Sequence, residues 1–226
     1  MIAVVTGAAS GIGRAVAAEL LSRDHRVVAV VRPGSTASAG AEVQEADLSD
    51  LTAVEALADR ICGEVPQVDL LVHAAGVAEL APLDGVTTEA VAAHLAVNLV
   101  APIALILALR HHLARAGGAV VTFSSEQVRL PTSTNLAYGA SKAGLEHATR
   151  SLAASLGPEG VRVCCLSLGG IDTPMLRRYL PDGVAPANVL GRRGSTADVV
   201  AAIDFLVANP HLTGAVIPLD GGAHLA

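Results

Sequence analysis

Short apolar runs alternate with longer helical patterns along the whole chain. The runs consist mostly of Val, Ile, Leu and Ala without strict alternation, which is typical of strands covered on both faces in a parallel sheet. The predicted strands are Ile2–Thr6, Val27–Val31, a short piece near Val43, Asp69–Val72, Ala119–Phe123, Arg162–Leu166 and Ala215–Pro218. This order predicts an α/β fold, a doubly wound parallel sheet of about seven strands with helices on both faces.

The segments between the predicted strands carry helical periodicity. Thr196 is expected to cap the last helix, and Gly157-Pro158 ends the fourth. No linker interrupts the chain, so we expect a single domain over residues 1–226. The clearest predicted helices are Ile12–Ser22, Leu51–Ile61, Thr88–Ala114, Ala137–Leu156 and Ala197–Val207.

One helical segment is close to transmembrane length. Val91–Leu109 has 19 residues and carries no formal charge while His94 is neutral. It also contains Asn98 and Pro102, and no second such segment accompanies it. These features favour a helix buried against a sheet or in a subunit interface over a membrane span.

Composition narrows the class of protein. Hydrophobic residues make up 52% of the 226 residues and charged residues 16%, enough apolar material for a large core. The net charge of −6 and the lack of a basic block make nucleic acid and anionic membranes poor partners. The chain starts as a strand and its three cysteines lack metal-ligand spacing, so we expect a cytoplasmic setting with free thiols and no metal.

A glycine-rich turn follows the first strand and opens the first helix. It reads Thr6-Gly7-Ala8-Ala9-Ser10-Gly11-Ile12-Gly13. Glycines let the backbone approach a phosphate closely, and the helix N-terminus offers free N–H groups and a positive dipole end. At this place in an α/β chain the turn indicates a Rossmann-type dinucleotide site, and a purely structural turn is the alternative.

The end of the second strand bears on the choice of cofactor. An acidic residue about 20 positions past the glycines would hold the ribose hydroxyls of NAD. The chain instead has Val31-Arg32-Pro33 there. Arg32 offers a cation to a 2′-phosphate, which favours NADP over NAD. The alternative is that Arg32 merely solvates the strand end.

Lys142 is the only lysine, and it lies four residues after Tyr138, one of two tyrosines. On a helix this spacing places both side chains on one face. An ammonium favours the phenolate and lowers the pKa of a phenol from about 10. The pair could therefore act as a proton donor and acceptor near neutral pH, and an exposed surface pair is the alternative.

With these residues assembled, the chain resembles the short-chain dehydrogenase/reductase family over essentially its whole length. The order and spacing of the matching segments are specific, with Ser125 thirteen residues before Tyr138 as in the family. The family has Asn-Asn-Ala-Gly where this chain has His73-Ala74-Ala75-Gly76. The remaining matches are Thr6 to Gly13, Ala46-Asp47-Leu48, Asn98, Tyr138-Gly-Ala-Ser-Lys142, Gly169 to Met175 and Asp220-Gly221-Gly222.

The resemblance implies a role for each matching residue. Tyr138 would be the acid/base, Lys142 would lower its pKa and hold the nicotinamide ribose, and Ser125 would hydrogen-bond the substrate oxygen. Asn98 would sit on a kinked helix and anchor a water that relays protons. The implied cofactor-binding residues are Gly7, Ser10, Gly11, Ile12, Gly13, Arg32, Asp47, Leu48, Ala74, Ala75, Gly76, Tyr138, Lys142, Gly169, Ile171 and Thr173.

A long apolar loop covers about residues 170–191 and contains three prolines. Such loops in compact domains are more often functional than not, although a packing loop is the alternative. Its residues Met175, Leu176, Tyr179 and Leu180 are expected to line the substrate entrance, with Val128 and Leu130 facing them. Apolar walls favour a hydrophobic carbonyl substrate.

Three positions depart from the family pattern. His73-Ala74 replaces two asparagines, and Leu168-Gly169 replaces Pro-Gly near the nicotinamide. Glu126 puts a carboxylate beside Ser125. We expect Glu126 to turn toward solvent, because carboxylates are seldom buried; pairing with a polar or cationic substrate group is the alternative.

The sequence thus predicts an NADP-dependent oxidoreductase that interconverts a hydrophobic ketone and a secondary alcohol. One alternative is an NAD-dependent dehydrogenase of a diol or hydroxysteroid-like alcohol. Another is a non-catalytic dinucleotide-binding sensor or structural subunit, which would need none of Asn98, Ser125, Tyr138 and Lys142. A homodimer or homotetramer is expected, because Val91–Leu109 and the Ala-rich helix after Tyr138 offer more apolar surface than one sheet needs to cover.

Overall fold

The computed structural model describes residues 1–184 and 186–225. Its centre is one parallel sheet of seven strands in the order β3-β2-β1-β4-β5-β6-β7, which confirms the predicted fold class. Every predicted strand occurs, with small differences at the ends. The strands are β1 Ile2–Thr6, β2 Arg26–Val31, β3 Glu42–Glu45, β4 Leu70–His73, β5 Ala119–Ser125, β6 Arg162–Leu168 and β7 Val216–Leu219.

Helices cover both faces of the sheet. They are α1 Gly11–Ser22, α2 Leu51–Glu64, α3 Thr88–Leu95, α4 Ala101–Ala116, α5 Leu136–Leu156, α6 Pro174–Arg177 and α7 Thr196–Ala208. Helices α1 and α7 pack on one face, and α2, α4 and α5 pack on the other. The chain order reverses between β1 and β4, so a cleft opens at the carboxyl ends of these strands, where α/β folds bind ligands.

Successive residues of the central strands point into opposite helix layers. Val4 and Leu71 face α2 and α4, whereas Val5 and Val72 face α1 and α7, and all four are fully buried. Complete burial of such a side chain contributes about 1.5–3 kcal/mol. Both faces of the sheet are therefore apolar, and this explains why the strands read as continuous hydrophobic runs.

The apolar helix predicted at Thr88–Ala114 extends from Thr88 to Ala116 and contains a π-helical segment, Ala96–Val100. By length and composition alone this helix of 29 residues, which contains an 18-residue stretch of mean hydropathy 2.2, could cross a membrane. Its residues Leu105, Ile106 and Leu109 are fully buried against the sheet. This packing favours the prediction of a core helix over that of a membrane span.

Helix α7 is capped differently from the prediction. Ser195, not Thr196, is the N-cap: its Oγ accepts a hydrogen bond from Asp198 N at 3.1 Å. The Asp198 carboxylate in turn accepts one from Ser195 N at 2.7 Å. This reciprocal capping box satisfies two otherwise free N–H groups and fixes where the loop after β6 ends.

Candidate active site

Tyr138 and Lys142 lie one turn apart on α5, on the same side of the helix, as their spacing predicts. Lys142 Nζ is 5.8 Å from the centroid of the Tyr138 ring. It donates a hydrogen bond to the carbonyl oxygen of Phe123 on β5 at 2.9 Å. Lys142 is buried, and burial lowers its pKa to about 8.

The environment of Tyr138 differs from the prediction in one respect. Burial raises the pKa of Tyr138, a hydrogen bond with Ser125 opposes the rise, and the charge of Glu126 adds to it. The net shift of the Tyr138 pKa is therefore upward, and the ammonium of Lys142, which is directed at a carbonyl of β5, does not reverse it. A raised pKa keeps the proton on the phenol at neutral pH, where it can be donated.

Ser125 is the last residue of β5 and is 7% exposed. Its Oγ accepts a hydrogen bond from Gln127 N at 3.3 Å, which starts the 3₁₀ turn Glu126–Val128. It is close enough to the Tyr138 hydroxyl to oppose the rise in the pKa of that phenol, so the two hydroxyl groups are neighbours. A carbonyl oxygen between them could accept hydrogen bonds from both, in the manner of an oxyanion hole.

Asn98 is completely buried in the π-helical segment. Its Oδ1 accepts from Val77 N at 2.9 Å, and its Nδ2 donates to Val77 O at 2.9 Å and to Ser141 Oγ at 3.0 Å. A β-carbon added to Gly76 would lie 3.3 Å from Asn98 Oδ1 and 3.6 Å from Lys142 Nζ. Asn98 thus joins the loop after β4 to α5, beside Lys142. π-Helical segments are often found at functional sites.

His94 is a positioning residue that the sequence did not reveal. Its ring packs edge-on against Tyr138, with centroids 6.5 Å apart and an interplanar angle of 75°. Its Nε2 accepts from Glu79 N at 3.0 Å, and its Nδ1 lies 2.7 Å from Ala90 O. His94 therefore holds the Tyr138 ring and the loop after β4 together. The sequence offers only a histidine in an apolar helix, which is no signal for this role.

The glycine turn fits a dinucleotide phosphate. Gly7 has a φ of 66°, and a β-carbon there would lie 2.7 Å from Ala75 N. A β-carbon on Gly13 would overlap the carbonyl oxygen of Gly7. Ser10 is the N-cap of α1, but its side chain makes no capping hydrogen bond within the described part of the chain. The first N–H groups of α1 can therefore bind an anion.

The residues expected at the adenosine end lie together beyond the ends of β2 and β3. Arg32 is exposed, and Leu48 is buried beneath this surface. Hydrogen bonds from Ser49 lower the pKa of Asp47, and the charge of Arg32 adds to the effect. Arg32 and Asp47 are thus close enough to interact electrostatically.

The residues expected at the nicotinamide end lie on the opposite side of the glycine turn. Ile171 is buried and forms an isolated bridge with Gly194. Thr173 donates to Ile171 O at 3.2 Å and accepts from Leu176 N at 3.3 Å. A β-carbon on Gly11 would lie 3.6 Å from Thr173 Cβ. The glycine turn and Thr173 therefore face each other across the cleft.

The loop after Thr173 begins with α6 and then runs over the site. Tyr179 donates from its hydroxyl to Ala78 O at 2.5 Å, which ties this loop to the loop after β4. Met175 is 37% exposed and Tyr179 41%. Leu176 is partly buried near Gly170, and Val128 is partly buried after Ser125. The loop and the residues after Ser125 thus border the same end of the sheet.

Two of the departures from the family pattern, Glu126 and His73, are at least partly buried, and for Glu126 this is a correction. Glu126 does not turn to solvent: its Oε2 lies 2.8 Å from where a β-carbon of Gly169 would be. Burial, with the nearby Asp220, raises the pKa of Glu126 to about 7. His73 is 3% exposed, and neither ring nitrogen has a partner among residues 1–184 and 186–225. Burial and the charge of Lys142 lower the pKa of His73 to about 3, so its imidazole is neutral.

Known proteins match this chain along its length. A family model described as enoyl-(acyl carrier protein) reductase matches residues 7–224. Carbonyl reductase family member 4 of Xenopus tropicalis is 32% identical over 99% of this chain and 98% of its own. This chain belongs to the short-chain dehydrogenase/reductase family. It is therefore a nucleotide-binding oxidoreductase that acts on CH–OH or carbonyl groups with NAD or NADP.

Two further members of the family illustrate its range. D-threitol dehydrogenase of Mycolicibacterium smegmatis is 33% identical over 98% of this chain and 92% of its own. A short-chain dehydrogenase from Burkholderia cenocepacia, solved in complex with NADP, has a TM-score of 0.87 and 29% identity, covering 98% of this chain and 96% of that one. The names of the carbonyl reductase and of D-threitol dehydrogenase state different substrates, so the similarity identifies the family of this short-chain dehydrogenase/reductase and not its substrate.

Proposed function

We propose that this enzyme interconverts a hydrophobic ketone and a secondary alcohol with NADP, using Tyr138 as the acid/base. The observation that carries the proposal is the position of Ser125 at the end of β5 beside Tyr138 and buried Lys142, which lie one turn apart on α5 where this helix packs on β5. Family membership and this complete set of side chains speak against the alternative of a sensor without turnover.

When bound, the nicotinamide cofactor supplies or accepts the hydride. Ser125 and Tyr138 hold the carbonyl oxygen through their hydroxyl groups. Tyr138 donates its phenolic proton to that oxygen as negative charge develops, a contribution of about 10²- to 10⁴-fold in rate. Lys142 stabilises the resulting phenolate by its charge and would hold the ribose. Asn98 holds the loop after β4 against α5 through its hydrogen bonds to Val77 and Ser141.

Arg32 supports NADP as the cofactor. It is exposed and directly follows β2. The last residue of β2 is Val31 and not an acidic residue, so a 2′-phosphate would lie beside a cation there. An NAD-dependent dehydrogenase of a diol or hydroxysteroid-like alcohol is the second candidate, and the similarity to D-threitol dehydrogenase favours it. Asp47 lies near Arg32 and could hold an adenosine hydroxyl with either cofactor.

We assign the substrate pocket to Val128 together with Met175, Leu176 and Tyr179 on the loop at about 170–191. Their side chains are apolar or aromatic and they border the end of β5 where the two hydroxyls meet. One domain, residues 1–226, would then carry both the dinucleotide site and this substrate loop. We also retain the cytoplasmic location as a prediction.

The outer face of α4 supports a homodimer or homotetramer. Leu107 is 49% exposed and Val100 36%, although the inner face of the same helix is fully buried. α5 offers small exposed residues on its outer side, among them Ala140 and Ala143. Light scattering should return a mass above 22.7 kDa at micromolar concentration. A mass equal to that of one chain would contradict the assembly.

The test of the proposed function is a substrate panel read by nicotinamide absorbance. Ketones and quinones are offered with NADPH or NADH, and alcohols and diols with the oxidised cofactors. We expect apolar ketones to consume NADPH with a higher kcat/KM than NADH. Preferential oxidation of diols with NAD would support the second candidate, and no turnover with any pair would contradict both.

A further inference from the structure

Glu126 is an acidic residue beside the proposed reaction centre whose carboxyl group has no part in the proposed proton transfer. It directly follows Ser125 at the end of β5 and begins the 3₁₀ turn there. The Glu126 carboxyl is close enough to Tyr138 for its charge to raise the pKa of that phenol. This position places an acidic group within reach of whatever binds at the two hydroxyls.

The direction of the Glu126 side chain is set by the backbone at the end of β6. A β-carbon on Gly169 would lie 2.8 Å from Glu126 Oε2 and 2.9 Å from Asp220 Cβ. The carboxyl therefore extends over Gly169, where any larger residue would displace it. Gly169 also belongs to the expected nicotinamide end of the cleft. Glu126 thus borders the space between Ser125 and the nicotinamide, which is where a ketone carbon would sit.

The two neighbouring carboxyl groups differ in how they are satisfied. Asp220 accepts hydrogen bonds from Gly222 N at 2.9 Å, His224 N at 3.2 Å and His224 Nδ1 at 2.7 Å. The Glu126 carboxyl accepts no hydrogen bond within the described part of the chain. Burial and the charge of Asp220 raise its pKa. No donor among the described residues occupies this partly buried carboxyl, so a donor supplied by a ligand would be favourable.

We propose that Glu126 determines specificity by accepting a hydrogen bond from a hydroxyl or amino group on the carbon next to the substrate carbonyl. This inference rests on the proposed function, because it needs the carbonyl oxygen at Ser125 and Tyr138. The apolar residues of the substrate loop then contact the rest of the molecule. The substrate class is an α-hydroxy or α-amino ketone with an apolar remainder, or the corresponding alcohol.

The test compares three ketones that differ in one group: benzylacetone, its α-hydroxy derivative and its α-amino derivative. Assayed at a pH above the pKa of Glu126, wild type should favour one or both derivatives by about 10- to 100-fold in kcat/KM, the value of a hydrogen bond to a charged group. Glu126→Leu should bring the ratio close to one, and Glu126→Gln should retain part of it. Glu55→Leu, at an exposed position of α2, is the matched control and should leave the ratio unchanged.

A second readout separates this inference from the proposed function. Calorimetric titration of each ketone into Tyr138→Phe protein saturated with NADPH measures binding without turnover. We expect the same preference in Kd and its loss when Glu126→Leu is added. Equal use of the three ketones by wild type, or a ratio that survives in Glu126→Leu, would overturn the role of Glu126 while leaving the proposed function intact. No turnover of any ketone with NADPH would overturn the proposed function itself.

Discussion

The proposed reaction centre and the substrate loop are held in place by different means. Asn98, Ser125 and Lys142 are each less than 9% exposed and lie on a helix or at a strand end. In the loop, Met175 and Tyr179 are more than a third exposed, and the Tyr179 hydroxyl joins the loop to the segment after β4. The difference suggests that the fold fixes where a proton is transferred, while the choice of substrate lies in a segment that can vary.

Arg193 makes several polar contacts with the described part of the loop. Arg193 is 13% exposed in its side chain and pairs with Asp172 at 3.3 Å. It also donates to Leu180 O at 2.9 Å and to Pro181 O. Hydrogen bonds from a partly buried guanidinium to backbone carbonyls thus stabilise the loop, whereas apolar packing stabilises the sheet.

The largest expected effect in this comparison comes from Lys142→Arg. The ammonium reaches Phe123 O within a buried space, and the larger planar guanidinium cannot occupy it in the same way. We expect kcat with a good ketone to fall by about 100-fold or more although the charge is kept. Arg150→Lys, at an exposed position of the same helix, is the control. Near-wild-type turnover in Lys142→Arg would remove Lys142 from the reaction centre.

Asn98→Ala tests whether the reaction centre is also a structural clamp. The change leaves the N–H and carbonyl of Val77 without their partner, so the free energy of unfolding should fall by about 2 kcal/mol or more. Urea unfolding gives this value, and turnover should fall with it. Ser141→Ala removes one of the three Asn98 hydrogen bonds and the bond from Ser141 Oγ to Tyr138 O, but it leaves both Val77 bonds in place and should cost less. An equal loss in both variants would contradict the clamp.

Much of the reaction centre could be predicted because its signals are local. The spacing of Tyr138 and Lys142 fixes their common face once a helix forms, and the glycine turn follows from its place after β1. Apolar runs identify strands because both sheet faces are covered. These features depend on neighbours in sequence, so no knowledge of distant contacts is needed.

Other features depend on contacts that the sequence does not display. The π-helical segment at Asn98 cannot be predicted from the spacing of apolar residues, because one wider turn barely changes the helical periodicity of the sequence. Glu126 turns inward because Gly169, distant in sequence, leaves room for it. The capping box favours Ser195 over its neighbour Thr196 because Asp198 is placed to complete it. The direction of Lys142 toward β5 likewise required the packing of α5 on the sheet.

A double variant at the adenosine end should produce an intermediate effect. Val31→Asp with Arg32→Ala supplies a partner for ribose hydroxyls and removes the cation offered to a 2′-phosphate. The ratio of kcat/KM for NADPH over NADH should fall by about 10-fold or more. Arg23→Ala, at the far end of α1, should leave it unchanged. If wild type already prefers NADH, Arg32 does not select the cofactor.

The smallest expected effect is that of Tyr179→Phe. This change removes the hydrogen bond to Ala78 O and keeps the aromatic ring in the loop. KM for an apolar ketone should rise by about two- to tenfold, the value of one hydrogen bond, with little change in kcat. A large fall in kcat would mean that the loop takes part in proton transfer, and the distinction between the two regions would not hold.

The most direct test of the central claim is the rate of NADPH oxidation by Tyr138→Phe with the ketone that wild type uses best. Fluorescence titration of NADPH on the same preparation measures cofactor binding. The claim predicts a fall in kcat of about 10²- to 10⁴-fold with the Kd for NADPH unchanged. Turnover by the phenylalanine variant at a rate close to that of wild type would contradict Tyr138 as the acid/base.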